Sequence, residues 1–266
     1  MGDTGFAAAE DIARTFVDAR RAGQAITAYP GPVPQTMDDA YAVQDTAIRY
    51  DGRTVGGWKL GRINSPHLER LGANRLAGPI FVDQIVGAPA GADVAMPIFA
   101  QGFGAAEAEF LLRIGTAPDP AKSDYTVADA TALIDAVHAG LEIASSPYPA
   151  INADGPAVTA SDFGNNNGLV IGDAIDGWRD QDINCWTLEF RIDGAVIATG
   201  KGADMLDGPF GAAAFLFNLA ATRGLVLTPG QWISSGAVTG VHPVRAGNRV
   251  EAHFDGRYPV RCTITG

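Results

Sequence analysis

Apolar and polar side chains alternate at every second position in several segments of the later part of the chain, which is typical of β-strands with one buried face. The turns Asp193-Gly194 and Asp255-Gly256 each separate two such alternating runs, as in β-hairpins. With the shorter apolar runs, the pattern predicts strands at residues 105–114, 138–144, 168–172, 186–198, 231–236 and 248–264.

The earlier part of the chain shows helical spacing instead. Ile12, Phe16 and Val17 predict a helix over Ala8–Arg20. Further helix starts are predicted at Thr36, Ser65-Pro66, Thr126 and Gly208-Pro209, and helix ends at Gly72 and Gly224. We therefore expect an α+β fold, with a mostly antiparallel or mixed β-roll or sandwich in residues 81–266. A small, mainly helical part in residues 1–80 precedes it.

Composition and charge narrow the possible partners. The chain has 266 residues, of which 47% are hydrophobic, enough for a sizeable core. Its net charge of −11 argues against nucleic acid or an anionic membrane as the partner, because no basic stripe could meet phosphates. Cys185 and Cys262 lie far apart, so we expect no disulfide framework and a cytoplasmic location.

Glu107 and Glu109 lie two residues apart in a segment that reads as a strand, so both side chains point to the same face. If that face is buried, the two like charges need compensation, and a divalent cation is the simplest one. A solvated strand face is the alternative, since antiparallel strands commonly expose one side. This segment alone leaves both interpretations open.

Three more residues could carry chemistry. Glu142 is the only acid in an otherwise apolar run, where it could join a metal site or pair with an arginine. Lys59 is flanked by Trp58 and Leu60, with glycines on either side. It could be a desolvated acid or base with a lowered pKa, or a surface lysine. Asp162 begins an Asp- and Asn-rich loop that could cap a turn or line a polar pocket.

The order of these residues resembles the 2-keto-4-pentenoate hydratase/4-oxalocrotonate decarboxylase family of the fumarylacetoacetate hydrolase superfamily. The matching segments are Asp39–Gln44, Lys59-Leu60-Gly61, Ser65-Pro66, Glu107-Ala108-Glu109, Leu141-Glu142-Ile143 and Asp162. The resemblance implies that Glu107, Glu109 and Glu142 bind Mg²⁺ or Mn²⁺. It also implies that Lys59 and Asp162 lie in or near the active site, and that the substrate is a 2-oxo or 2-hydroxy-dienoic acid.

The resemblance implies a lyase, and our first hypothesis is hydration of a 2-hydroxypenta-2,4-dienoate-like substrate. The metal would hold an enolate, while Lys59, together with Asp162, would move a proton. Decarboxylation of a 4-oxalocrotonate-like 2-oxo acid is the alternative, and a non-catalytic partner subunit is another. The resemblance also implies aromatic catabolism and a homo-oligomer, with a pathway enzyme as a further partner.

The chain departs from the family pattern around the predicted site. Asp162-Phe163-Gly164-Asn165-Asn166 replaces the family's Asp-Asn-Ala-Ser-Ser, so serines that would help hold the substrate are absent. Ser145-Ser146-Pro147 replaces Asp-Ser-Arg, which removes a charge pair beside the site. His67 does not have the His-x-x-Glu spacing of the superfamily's hydrolases, and we interpret it as a helix-surface histidine. These changes predict either the same chemistry on a different substrate or a relative whose reaction has drifted.

Overall fold

The computed structural model describes residues 3–266, with side chains from Ala7 onward. Its helices are α1 (Asp3–Ala22), α2 (Met37–Asp51), α3 (His67–Leu71), α4 (Val127–Ala132), α5 (Pro156–Ser161) and α6 (Gly208–Arg223). Its strands are β1 (Val55–Arg62), β2 (Arg75–Phe81), β3 (Ile85–Gly87), β4 (Asp93–Pro97), β5 (Phe103–Ile114), β6 (Ile134–Ser146), β7 (Asn166–Ala174), β8 (Thr187–Ile192), β9 (Ala195–Lys201), β10 (Trp232–Ser234), β11 (His242–Pro243), β12 (Arg249–Phe254) and β13 (Tyr258–Thr265).

The helix ends follow the chemistry predicted for them, with one exception. Thr36 caps α2, and Thr126 forms a capping box with Asp129 at the start of α4. Gly72 and Gly224 end α3 and α6 in the left-handed conformation. The exception is the start predicted at Ser65-Pro66, where Ser65 was expected as the N-cap residue. Pro66 is the N-cap residue of α3, and the Ser65 hydroxyl donates to Glu69 instead, at 2.5 Å.

The strands form two sheets. The larger sheet has the order β2-β1-β10-β5-β6-β7-β3, with β11 beside β5, and is antiparallel except for the β1–β10 and β3–β7 pairs. The smaller sheet has the order β4-β13-β12-β8-β9, with only the β4–β13 pair parallel. This confirms the predicted α+β class with mixed, mostly antiparallel sheets.

The larger sheet packs one face against the smaller sheet and curls around its other face. On the packed side, the rings of Phe110 on β5 and Phe254 on β12 lie 5.3 Å apart between centroids. On the opposite side, Ile80, Leu111 and Leu169 from β2, β5 and β7 form one cluster. Because side chains alternate along β5, Glu107 and Glu109 lie on this enclosed side.

The predicted N-terminal part and the predicted core share this larger sheet. Residues 1–80 contribute α1, α2 and α3, and also β1 and most of β2, which pair with each other while β1 pairs with β10. The predicted boundary near residue 80 therefore falls within a strand. Within residues 3–266, no helix combines the length and apolar character needed to cross a bilayer.

Candidate active site

Three buried glutamates meet on the enclosed face of the larger sheet. Glu107 and Glu109 follow the two-residue repeat of β5, and Glu142 on β6 lies directly opposite Glu107 in the antiparallel register. One carboxylate oxygen from each residue lies within 4.8 Å of the others. Glu109 and Glu142 are fully buried and Glu107 is 5% exposed, so a solvated strand face is excluded.

One of these carboxylates, that of Glu109, is only half satisfied. Glu109 Oε2 accepts hydrogen bonds from the Ser234 hydroxyl and from the Gly236 backbone N–H, whereas Glu109 Oε1 has no hydrogen-bond partner among the described residues. Asn166 donates to Glu142 Oε1 at 2.9 Å, and Glu142 Oε2 lies 3.3 Å from the Lys59 ammonium, its ion-pair partner. Unpaired buried carboxylate oxygens are costly. An all-oxygen donor set of this kind fits Mg²⁺ or Mn²⁺.

Burial makes the negatively charged form of this cluster unfavourable. Burial raises the pKa of Glu107 to about 7, repulsion from Glu142 adds to this, and attraction to Lys59 opposes it. Burial, with repulsion from Glu142 and Glu107, raises the pKa of Glu109 well above its ordinary value of 4.5. Without a cation, this site therefore favours binding of protons.

Lys59 is buried beside the glutamates, as a site residue would be. Its Nζ donates to Asn165 Oδ1 at 3.2 Å and forms an ion pair with Glu142 Oε2 at 3.3 Å. The expectation that the pKa of Lys59 is lowered is wrong, because of the carboxylates around it. Burial lowers the pKa of Lys59, but attraction to Glu142, Glu107 and Glu109 outweighs burial and raises it.

Two glycines near Lys59 allow neighbouring backbone segments to pack closely, rather than allowing a ligand to approach. A Cβ at Gly57 would lie 2.5 Å from the Trp232 carbonyl oxygen, and a Cβ at Gly78 would lie 2.1 Å from the Phe163 carbonyl oxygen. Gly78 thus lets the 163–164 segment cross β2 closely. Asn165, with φ +56°, follows this crossing and reaches Lys59.

Asp162 lies one layer behind the site in a buried ion pair. Arg20 of α1 donates from Nε to Oδ1 at 2.6 Å and from Nη2 to Oδ2 at 2.8 Å, and the Ser146 hydroxyl donates to Oδ2 at 2.6 Å. The Asp162 side chain is fully buried and does not line the cavity described below. That Asp162 takes part in proton transfer stays a prediction, and its contacts favour a role in positioning the 162–166 segment.

A cavity of about 440 Å³ opens from the cluster. Lys59, Glu107, Asn165 and Ser235 line it, whereas Glu109 and Glu142 do not. The Ser235 hydroxyl is buried and has no hydrogen-bond partner among the described residues. His67, interpreted from sequence as a helix-surface residue, is half-buried and lines the cavity. The site can therefore hold a cation and an oxygen-rich ligand side by side.

Several functional contacts were missed from sequence. Asn165 and Asn166 bind Lys59 and Glu142 in the stretch where the family's serines are absent. Arg20 supplies a charge partner for Asp162 from 142 positions earlier in the chain. The signal for the asparagines was the Asp- and Asn-rich loop itself. Nothing in the local sequence marks Arg20, which lies in the last turn of an ordinary amphipathic helix.

Comparisons with curated proteins identify relatives, although no protein-family model matches the sequence. The 2-keto-4-pentenoate hydratase of Burkholderia vietnamiensis (strain G4 / LMG 22486) is 32% identical over 107 residues, covering 40% of this chain and 41% of that relative. The 4-oxalocrotonate decarboxylase of Pseudomonas sp. (strain CF600) is 26% identical over 257 residues, 96% of this chain and 94% of the relative. The 2-keto-4-pentenoate hydratase of Paraburkholderia xenovorans (strain LB400) is 27% identical over 257 residues, covering 95% of this chain and 93% of that relative. This chain is a homologue of the 2-keto-4-pentenoate hydratases and 4-oxalocrotonate decarboxylases.

Solved structures with the same fold carry divalent metals. The 4-oxalocrotonate decarboxylase from Pseudomonas putida G7, complexed with magnesium and adipate, aligns with a TM-score of 0.81 at 21% identity over 96% of this chain and 97% of that one. The fumarylpyruvate hydrolase from Pseudomonas aeruginosa, in complex with Mn²⁺ and pyruvate, aligns with a TM-score of 0.59 at 15% identity, over 78% of this chain and 88% of that one. These likenesses confirm the fold of the fumarylacetoacetate hydrolase superfamily. The metals agree with the predicted Mg²⁺ or Mn²⁺.

Proposed function

We propose that this protein is a divalent-metal-dependent lyase for 2-oxo or 2-hydroxy-dienoic acids, and that it hydrates a 2-hydroxypenta-2,4-dienoate-like substrate. The observation that carries the proposal is the buried cluster of Glu107, Glu109 and Glu142, with an unpaired oxygen on Glu109, open to a cavity beside Lys59. Homologues with hydratase and decarboxylase names, aligned over nearly the whole chain, support it.

Glu107, Glu109 and Glu142 would hold Mg²⁺ or Mn²⁺. When bound, the ion supplies positive charge that attracts the substrate's carboxylate and polarises its 2-oxo group. Ser234 and the Gly236 N–H fix the Glu109 carboxylate, and Asn166 fixes that of Glu142. These bonds orient the two buried ligands before the ion arrives.

Lys59 would hold and move the proton at the substrate carbon chain. Its ammonium donates to Asn165 and lines the cavity with Glu107, and from there Nζ would reach a ligand at the metal. A cation bound by the three glutamates would offset their attraction for the ammonium and make the proton easier to release. Ser235 would donate to a substrate oxygen, because its hydroxyl is buried and otherwise unpaired in the described structure.

Decarboxylation of a 4-oxalocrotonate-like 2-oxo acid is the second candidate. A relative named as a decarboxylase aligns over 96% of the chain, and both reactions need the same polarised 2-oxo group. Release of carbon dioxide on a panel of 2-oxo acids distinguishes the two. A partner subunit without activity would show neither reaction alone and would co-purify with a pathway enzyme.

The direct test follows the absorbance of a 2-hydroxydienoate with purified protein and Mg²⁺ or Mn²⁺. We expect turnover that EDTA abolishes and that added metal restores, and we expect Glu107→Gln to lose it. Glu189→Gln is the matched control, because Glu189 is partly exposed on β8 of the other sheet and pairs with Arg191. Turnover that is indifferent to EDTA, or full activity in Glu107→Gln, would contradict the metal role.

A further inference from the structure

We propose that the natural substrate is longer than a five-carbon dienoate and carries an uncharged, mainly apolar group beyond C5. This inference rests on the proposed function, because it assumes that the 2-oxo acid end lies at the glutamate cluster. It is drawn from the volume, the length and the wall chemistry of the cavity.

The cavity is too large for a five-carbon acid. An apolar protein cavity of about 150 Å³ holds benzene, which corresponds to about 25 Å³ for each non-hydrogen atom. The 440 Å³ found here would then hold about seventeen such atoms, or about fourteen after three water molecules at ~30 Å³ each are subtracted. A pentadienoate has only five carbons and three oxygens. Nearly half of the usable space would remain empty.

The cavity also extends well past the metal end. Lys59 and Arg62 both line it and lie three residues apart on β1, which corresponds to about 10 Å along a strand. Arg75 pairs with Arg62 in the β1–β2 register and lines the same outer end. An extended carbon chain advances only slightly more than ~1 Å per bond, so C5 lies about 5 Å from C1. A longer substrate is needed to reach the outer end.

The outer walls combine apolar and polar side chains. Leu76, Pro156, Met205, Leu206 and Val241 supply the apolar part, and Asn64, Ser65 and His67 add polar groups beside the charged residues. Val241 is 47% exposed at the rim, and a ligand lying over it would cover this surface. Met205 adds a flexible side chain that adapts to rings or branched groups.

Charged groups at this end do not favour a second carboxylate. Arg75 already donates hydrogen bonds to the Asp207 carboxylate and the Leu206 carbonyl. Asp204 also lines the cavity and would repel an anion. Arg62 is exposed, where an ion pair with a ligand is screened by water and contributes little. An alkyl or aryl group therefore fits better than a distal carboxylate.

Calorimetric titration of the Mn²⁺-loaded protein with unreactive 2-oxo acids tests this. The ligands are pyruvate, 2-oxopentanoate, 2-oxoadipate and 4-phenyl-2-oxobutanoate. We expect 4-phenyl-2-oxobutanoate to bind at least tenfold more tightly than 2-oxopentanoate, and 2-oxoadipate to gain no such advantage. Val241→Asn should weaken the phenyl compound at least threefold while changing pyruvate less than twofold. Val226→Asn is the matched control, since Val226 is 82% exposed and does not line the cavity.

The outcomes separate this inference from the proposed function. If pyruvate binds only with Mn²⁺ present but affinity does not rise with the phenyl group, the inference is overturned and the proposed function stands. Tighter binding of 2-oxoadipate than of the phenyl compound also overturns it, in favour of a dicarboxylate. If no 2-oxo acid binds the Mn²⁺-loaded protein, both fail.

Discussion

Ser234 and Ser235 are neighbours in the chain but have different partners. The Ser234 hydroxyl donates to Glu109, whereas the buried Ser235 hydroxyl lines the cavity without a partner among the described residues. We therefore predict that Ser234→Ala weakens Mn²⁺ binding about 10- to 100-fold, the usual effect of losing a bond that orients a ligand. Ser235→Ala should leave Mn²⁺ affinity unchanged and weaken pyruvate binding by about tenfold. Calorimetry on both variants measures both affinities, and equal effects of the two substitutions would contradict these roles.

The role of Lys59 can be tested apart from metal binding by replacing it with an uncharged side chain of similar length. Lys59→Met removes the Nζ that Asn165 and Glu142 hold, while the glutamates keep their other contacts. We expect turnover to fall by about 10²- to 10⁴-fold, as for the loss of a general acid or base. Binding of Mn²⁺ should persist, because the ammonium competes with the ion for Glu142. Wild-type turnover in Lys59→Met would show that Lys59 moves no proton.

At the scale of elements, the strands carrying the glutamates were predictable but their register was not. The pattern of apolar residues predicted β5 and most of β6, and the two-residue spacing predicted a shared face for Glu107 and Glu109. That Glu142 lies opposite Glu107 depends on pairing between strands, which local sequence does not encode. β2 was missed because Gly78-Pro79 interrupts it, and Pro79 is accommodated on an edge strand.

Helix α1 is tied to the active-site segment by one arginine. Arg20 is 5% exposed and donates to Asp162, to the carbonyls of Ser145 and Asn166, and to the Asn167 side chain. We predict that Arg20→Ala lowers the free energy of unfolding by about 3–5 kcal/mol, because it leaves Asp162 buried without its counter-charge. Arg21→Ala should change it by less than about 0.5 kcal/mol, since Arg21 is half exposed. Urea unfolding of both variants compares them, and equal losses would contradict this role for Arg20.

For the whole molecule, the raised pKa of Glu107 predicts how stability depends on pH without metal. The folded protein binds a proton at Glu107 up to about pH 7, whereas the unfolded chain releases it near pH 4.5. This contribution to stability is complete below pH 4.5 and is lost as pH rises through 7. In EDTA, the free energy of unfolding of wild type should fall relative to Glu107→Gln by up to ~1.4 kcal/mol per pH unit in this range. Urea unfolding at pH 5, 6, 7 and 8 measures the difference, and a pH-independent difference would contradict the shift.

Binding of Mn²⁺ to wild type and to Glu109→Gln tests the account most directly. Glu109 is fully buried, keeps one oxygen unpaired in the described structure and does not line the cavity, so its carboxylate can act on a ligand only through the ion. Calorimetry at pH 8 should show one Mn²⁺ per chain in wild type and in the Glu189→Gln control. Glu109→Gln should bind at least about 100-fold more weakly, beyond the usual effect of losing a supporting bond. Absence of Mn²⁺ binding in wild type, or unchanged affinity in Glu109→Gln, would contradict the glutamate cluster as the metal site.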